Sequence, residues 1–231
     1  MRIRSALVAL AATLVAGASA TAQTADMRLT SAGSTVNAQV TGTVSPYIYQ
    51  PNSFYVSPYS GTMDGNAIFL FCVDYKNHVS VPDHWTADVT TLSGSDFSDT
   101  RFGDAYIDAY RRAAWLTTQY SPANAEAIQD AIWYLFTPDV FKLNTVVNGM
   151  ETNHAFASAT NWVTAAKSQD LSKMNFDYFK VVTDVNTTGL IGGRQEFLVQ
   201  VTPEPASLVL MATGLIGVVG VARRRRRTAS A

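Results

Sequence analysis

Ile128, Ile132, Leu135 and Phe136 recur at the spacing of one helical face. A stripe of that width must be buried before the segment can hold a helix in water. Ser121-Pro122 supplies an N-cap and a first-turn proline ahead of it, and Pro138 ends it, so the pattern predicts a helix over 122–136. Gln129 stands one residue round from Ile128, with Trp133 one turn later, which puts a carboxamide at the margin of the apolar face. The chain must therefore provide a surface for this helix to dock on. The best candidate is Asn66–Tyr75, an apolar run of strand length that carries Cys72, the only cysteine in the protein.

The remaining elements follow the same logic. Tyr106, Tyr110, Ala113, Ala114 and Leu116 line one side of a helix over 105–119, and Phe156, Ala159, Trp162, Val163 and Ala166 mark a third over 150–167. Residues 26–62 are poor in charge and rich in Ser, Thr, Val and Tyr, with Pro46, Pro51 and Pro58 as punctuation, which predicts short strands and turns. Tyrosines interleaved there suit core and cross-strand packing better than a sugar-binding platform. Residues 83–104 are acidic and turn-rich and read as loop. Strands return at 176–185 and 194–202, and Leu198 interrupts the alternation of Phe197, Val199 and Val201, as in a strand covered on both faces. The order of strands, helices, strands predicts an α+β domain: a β-sandwich or barrel-like sheet shared by N- and C-terminal strands, with a helical insertion carrying the glutamine.

Cys72 and Gln129 bring a specific chemistry if they meet. A thiol can displace ammonia from a carboxamide, leaving a thioester whose sulfur is a good leaving group for a later nucleophile. Phe71-Cys72-Val73 and Ile128-Gln129-Asp130-Ala131-Ile132-Trp133 resemble the two motifs of the bacterial surface thioester domains, aromatic-Cys-hydrophobic and hydrophobic-Gln-x-x-hydrophobic-hydrophobic. Tyr110–Leu116 is similar to the helix that precedes the glutamine helix in those domains. The likeness spans residues 65–136. It implies a Cys72–Gln129 cross-link for covalent attachment to a surface or matrix ligand bearing an amine or hydroxyl, a polysaccharide or a protein amine. Phe71, Ile132 and Trp133 are candidates for shielding such a bond from water. Asp74, His78 and His84 are the nearest acid and base groups in sequence. The family is best known from Gram-positive adhesins, which leaves the ligand open here.

Two other readings stand beside it. A lone buried cysteine is commonly a small core hydrophobe, which describes a non-reactive structural or carbohydrate-associated matrix protein. Cys72 with His78 or His84 would suit a cysteine hydrolase if they were neighbours in space. The histidines are six residues apart, a spacing that matches no common zinc motif, and no metal or small cofactor is expected. A single-use capture protein is not an enzyme.

The two ends are addresses. Residues 1–22 have a basic start at Arg2 and Arg4, an apolar run over 6–16 and the small-residue site Ala18-Ser19-Ala20, the pattern of a secretory signal peptide. Export makes the single cysteine informative, because a free thiol in an oxidising compartment survives by burial or by capture. At the other end Pro203-Glu204-Pro205 precedes an apolar helix over 206–222 and five arginines at 223–227, a short span stopped by cytoplasmic charge. This resembles the PEP-CTERM sorting tail over 203–231. By that resemblance the tail is a temporary inner-membrane anchor, cut by an exosortase of an exopolysaccharide-making Gram-negative bacterium, and the body passes to the cell surface or biofilm matrix. Without both ends the chain loses seven of its 17 basic residues and one of its 18 acidic ones, leaving a body near minus 7. Such a domain, residues 23–202, has no reason to bind nucleic acid.

Overall fold

The computed structural model describes residues 23–36, 54–138, 146–147, 150–151 and 154–201. The expected secretory signal, the sorting tail and residues 37–53 of the expected strand-and-turn stretch lie outside them.

Ten strands are described: β1 Gln23–Ser31, β2 Ser34–Val36, β3 Phe54–Val56, β4 Tyr59–Met63, β5 Asn66–Cys72, β6 Asp83–Thr91, β7 Val146–Val147, β8 Met150–Glu151, β9 Phe179–Asp184 and β10 Phe197–Gln200. The helices are α1 Ile107–Thr118, α2 Ala125–Phe136 and α3 His154–Ser168. Six strands close a barrel in the order β1-β4-β5-β10-β9-β6, every pair antiparallel. Closure removes the edges that such short strands would otherwise leave unpaired. The expected α+β plan is present, with N- and C-terminal strands sharing one sheet and the helices inserted between β6 and β9.

Alternation along each strand separates two cores. Met27, Leu29, Leu70, Cys72, Trp85, Phe197 and Val199 fill the barrel, joined from outside by Trp133 of α2. Phe71, Val73, Val181 and Leu198 face outward, where Tyr110, Ala114, Ile128, Ile132 and Val163 of the three helices cover them. Leu198 thus packs under the helices while Phe197 and Val199 pack inside, which explains why β10 carries apolar residues at successive positions. Where the helices end, β5 is open to solvent, and Phe69 is 61% exposed.

The stretch at 83–104 departs from its expected loop character. Its first nine residues form β6, which pairs with both β1 and β9. Trp85 and Ala87 turn inward against exposed His84 and Thr86, a period-2 pattern that the flanking acids and turn residues obscured. The helix expected from Met150 starts at His154, and Met150–Glu151 is a two-residue strand. The helix expected from Pro122 opens as a 3-10 turn, capped reciprocally by Ser121 and Asn124, and becomes α-helical at Ala125.

Candidate functional site

α2 is buried on almost every side, between the barrel wall and the other two helices, and two of its buried residues are Gln129 and Asp130. Such a position imposes a strict requirement: each polar atom carried inside needs a partner. Gln129 has them. Its Nε2 donates to the Cys72 main-chain carbonyl at 2.7 Å, and its Oε1 accepts from the Ser57 N–H at 3.1 Å. The Ser57 hydroxyl in turn accepts from the Cys72 N–H at 2.9 Å. The ladder between β4 and β5 ends at Tyr59 and Leu70, because Pro58 has no N–H to continue it, and the Ser57 side chain covers the backbone group that follows. Ser57, Cys72 and Gln129 therefore close a ring of three hydrogen bonds in a site from which solvent is excluded.

The Cys72 sulfur faces the barrel interior. Its S–H donates to the Asp74 carbonyl oxygen at 3.3 Å, and the Trp133 indole N–H donates to the sulfur at 3.4 Å. Burial, with the Asp74 charge adding to it, pushes the thiol up to about 12, against the opposing effect of the indole donor. Tyr75 packs edge-on against Trp133, with ring centroids 5.0 Å apart, and closes the site from the side.

The structure thus brings Cys72, Gln129 and Trp133 together. Phe71 and Ile132 do not reach the sulfur: alternation turns Phe71 outward onto Tyr120, and Ile132 lies in the same helix-side core. Asp74 is adjacent through its backbone, but its carboxylate is engaged by Arg101 Nε at 2.7 Å and by Asn77 Nδ2 at 2.7 Å, with both charged side chains buried. His84 pairs with Asp26 across β6 and β1, more than half exposed on the outer wall, and His78 is exposed. Both histidines are exposed, whereas the Cys72 sulfur is buried against the Asp74 carbonyl and the Trp133 indole. Among the described residues no group of three His, Cys, Asp or Glu side chains converges as a metal site.

Several residues here carried no sequence signal. Glu196, fully buried, accepts from the Arg101 N–H at 2.6 Å, from Tyr110 Oη at 2.5 Å and from Thr183 Oγ1 at 3.1 Å. Burial pushes its carboxyl up to about 7, against the pull of these donors. The Arg101 guanidinium also binds the carbonyls of Gly189, Gly192 and Arg194, tying the turn between β9 and β10 to the Cys72 end of the barrel. Asp130 is fully buried, neither carboxyl oxygen has a hydrogen-bond partner among the described residues, and burial holds its carboxyl well above the ordinary range. Ser57 is the one member that local sequence could have suggested, as a turn residue before Pro58. Its distance of 72 residues from Gln129 concealed the contact. An open depression of about 530 Å³ beside Arg111 and Phe176 involves none of these groups.

Residues 201–227 match the PEP-CTERM protein-sorting motif. No curated protein and no solved structure matches the chain. The match covers the tail alone, and it identifies the chain as carrying the sorting signal of an exosortase substrate, an exported protein processed at the membrane.

Proposed function

We propose that this is a surface or matrix protein whose domain forms an internal thioester between Cys72 Sγ and Gln129 Cδ and uses it for covalent attachment to a ligand bearing an amine or hydroxyl. The observation that carries the reading is the Gln129 carboxamide held against Cys72 in a dry site, its nitrogen 2.7 Å from the Cys72 carbonyl. The two residues lie 57 positions apart in sequence, and both are fully buried.

In formation the sulfur attacks Cδ, the C–N bond breaks, and the thiol proton leaves with the nitrogen as ammonia. In capture a nucleophile attacks the same carbon, the C–S bond breaks, and the proton of the nucleophile passes to sulfur. The reaction consumes the site, so it is an attachment and not a turnover. Trp133 is the group that shields the sulfur and supplies a donor to it. With the tail cut by exosortase, the attachment would be the lasting link between this domain and its surroundings.

Intact mass of the folded protein, measured under denaturing but non-nucleophilic conditions, tests the reading. A deficit of one ammonia, abolished by Cys72→Ala and by Gln129→Ala and replaced by an adduct on addition of methylamine, is expected. A full mass with an alkylatable Cys72 leaves a non-reactive structural matrix protein, in which the same hydrogen bonds serve packing alone.

A further inference from the structure

We infer that the peptide unit joining Val56 to Ser57 is the oxyanion-stabilising group of this site, and that Gly33 is the residue that holds it in place. The inference rests on the thioester reading and assigns a catalytic role to a backbone group that has no sequence motif.

Attack of sulfur on Gln129 Cδ converts a planar carboxamide into a tetrahedral carbon and moves negative charge onto Oε1. The same charge returns to the same oxygen when an incoming amine attacks the finished thioester. A donor already aimed at that oxygen, among buried groups, stabilises both transition states and needs no reorganisation. The Ser57 N–H is such a donor, 3.1 Å from Oε1. The leaving nitrogen is oriented separately, by the Cys72 carbonyl at 2.7 Å. The two ends of the amide are therefore distinguished by the fold: its oxygen faces a donor and its nitrogen an acceptor.

The direction of that N–H is set from the other side of its own peptide plane. Gly33, in the turn between β1 and β2, lies against the Val56 carbonyl oxygen so closely that a Cβ there would overlap it, and it would also crowd the Pro58 carbonyl. The strand β2 pairs with β3 immediately beyond, Ser34 opposite Val56, which fixes the distance. Any side chain at position 33 must push the Val56–Ser57 peptide away and rotate the N–H off Gln129. The Ser57 hydroxyl bonded to the Cys72 N–H then acts as the second anchor, holding the donor peptide and the nucleophile strand in one register.

The test follows the rate at which the ammonia deficit appears and the rate at which methylamine opens the bond, in the full-length chain. Gly33→Ala touches neither Cys72 nor Gln129, and it is expected to slow both steps by roughly tenfold or more, against the 10²- to 10³-fold typical of losing a donor of this kind outright. The thioester carbonyl band in the infrared should move to higher frequency, a shift that a merely structural role for Gly33 would not produce. Should Gly33→Ala fail to fold, replacing Ser57 by its α-hydroxy acid analogue puts an ester oxygen in place of the N–H, keeps the side chain, and is expected to slow aminolysis by about 100-fold. A folded Gly33→Ala or α-hydroxy variant with wild-type rates and an unmoved band overturns the assignment while leaving the thioester intact. A wild-type chain with no ammonia deficit overturns the thioester reading itself, and the oxyanion role falls with it.

Discussion

Gln129 donates to the Cys72 carbonyl across the junction between helix α2 and the barrel, a 2.7 Å bond between two fully buried residues. The contact has an energetic consequence that is independent of any covalent chemistry. Truncating Gln129 to alanine leaves the Cys72 C=O and the Ser57 N–H without partners in a site that water does not enter. An orphaned buried group costs about 1–3 kcal/mol, so Gln129→Ala should lower stability by roughly 2–4 kcal/mol. The comparison belongs in a Cys72→Ala background, where no cross-link can contribute, and urea denaturation reads it. A loss below about 1 kcal/mol would mean that the carboxamide is not held as described.

Trp133 combines bulk with a donor, and two substitutions separate these parts. Trp133→Phe keeps most of the ring and removes the N–H that faces the Cys72 sulfur at 3.4 Å. The thiol, already pushed up to about 12, should rise further, since this donor lowers it. Thioester formation through the thiolate should slow accordingly, several-fold at fixed pH, and should speed up about tenfold for each unit that the pH is raised, because the thiolate fraction grows in that proportion below its pKa. Trp133→Ala also opens a cavity between the barrel and α2 and should cost about 3–5 kcal/mol. Its bond, if formed, should hydrolyse faster than that of Trp133→Phe. Equal hydrolysis rates in the two variants would remove Trp133 as the shield.

The parts of this site that were legible in the sequence are those set by periodicity. The helical stripe of Ile128, Ile132 and Phe136 fixes which way α2 docks, and the apolar run around Cys72 fixes a buried strand, so their meeting could be anticipated. Leu198, out of step with its neighbours, correctly signalled a strand covered on two faces. What could not be read are contacts that depend on three-dimensional register. The choice between Trp133 and Phe71 as the neighbour of the sulfur turns on the strand's alternation of faces, which puts Phe71 and Cys72 on opposite sides of β5. β6 was hidden because its outward residues, Asp88 among them, share the composition of the turns that follow. The Ser57 backbone N–H has no side-chain identity at all, and only the fold reveals it.

Asp130 is a cost that the fold carries without visible return. Its carboxyl oxygens are buried without a hydrogen-bond partner among the described residues, and burial, aided by the charge of Glu126 one turn away, holds the group protonated well above the ordinary range. Removing the buried polar atoms without adding volume should be better tolerated, and Asp130→Ala is expected to be neutral or stabilising by about 1 kcal/mol at neutral pH. Thermal or urea unfolding measures this directly. An Asp130→Ala variant that folds but loses more than about 2 kcal/mol would show that the carboxyl has a partner in solution.

Glu196 makes a sharper prediction because burial moves its titration to about neutral pH. Its carboxyl is pushed from about 4.5 in the unfolded chain to about 7 in the fold, with burial as the main cause and the Asp74 charge adding to it. Arg101, Tyr110 and Thr183, which face it, favour the ionised form but do not offset that burial. Below pH 4.5 the group is protonated in both states and has no effect on the balance. Between pH 4.5 and 7 the unfolded chain ionises while the native protein keeps its proton, so stability falls as pH rises through this window. The fall amounts to roughly 3 kcal/mol, from a pKa difference of about 2.5 units at 1.36 kcal/mol each. Above pH 7 both states are ionised and the effect levels off. Other groups, such as Asp83 and Asp184 with their lowered values, act in the opposite sense at lower pH. The quantity to measure is therefore the difference in unfolding free energy between wild type and Glu196→Gln across pH 4.5–8. The advantage of the glutamine variant should grow through this range and flatten above pH 7. A difference that does not change with pH would mean that Glu196 ionises normally within the fold.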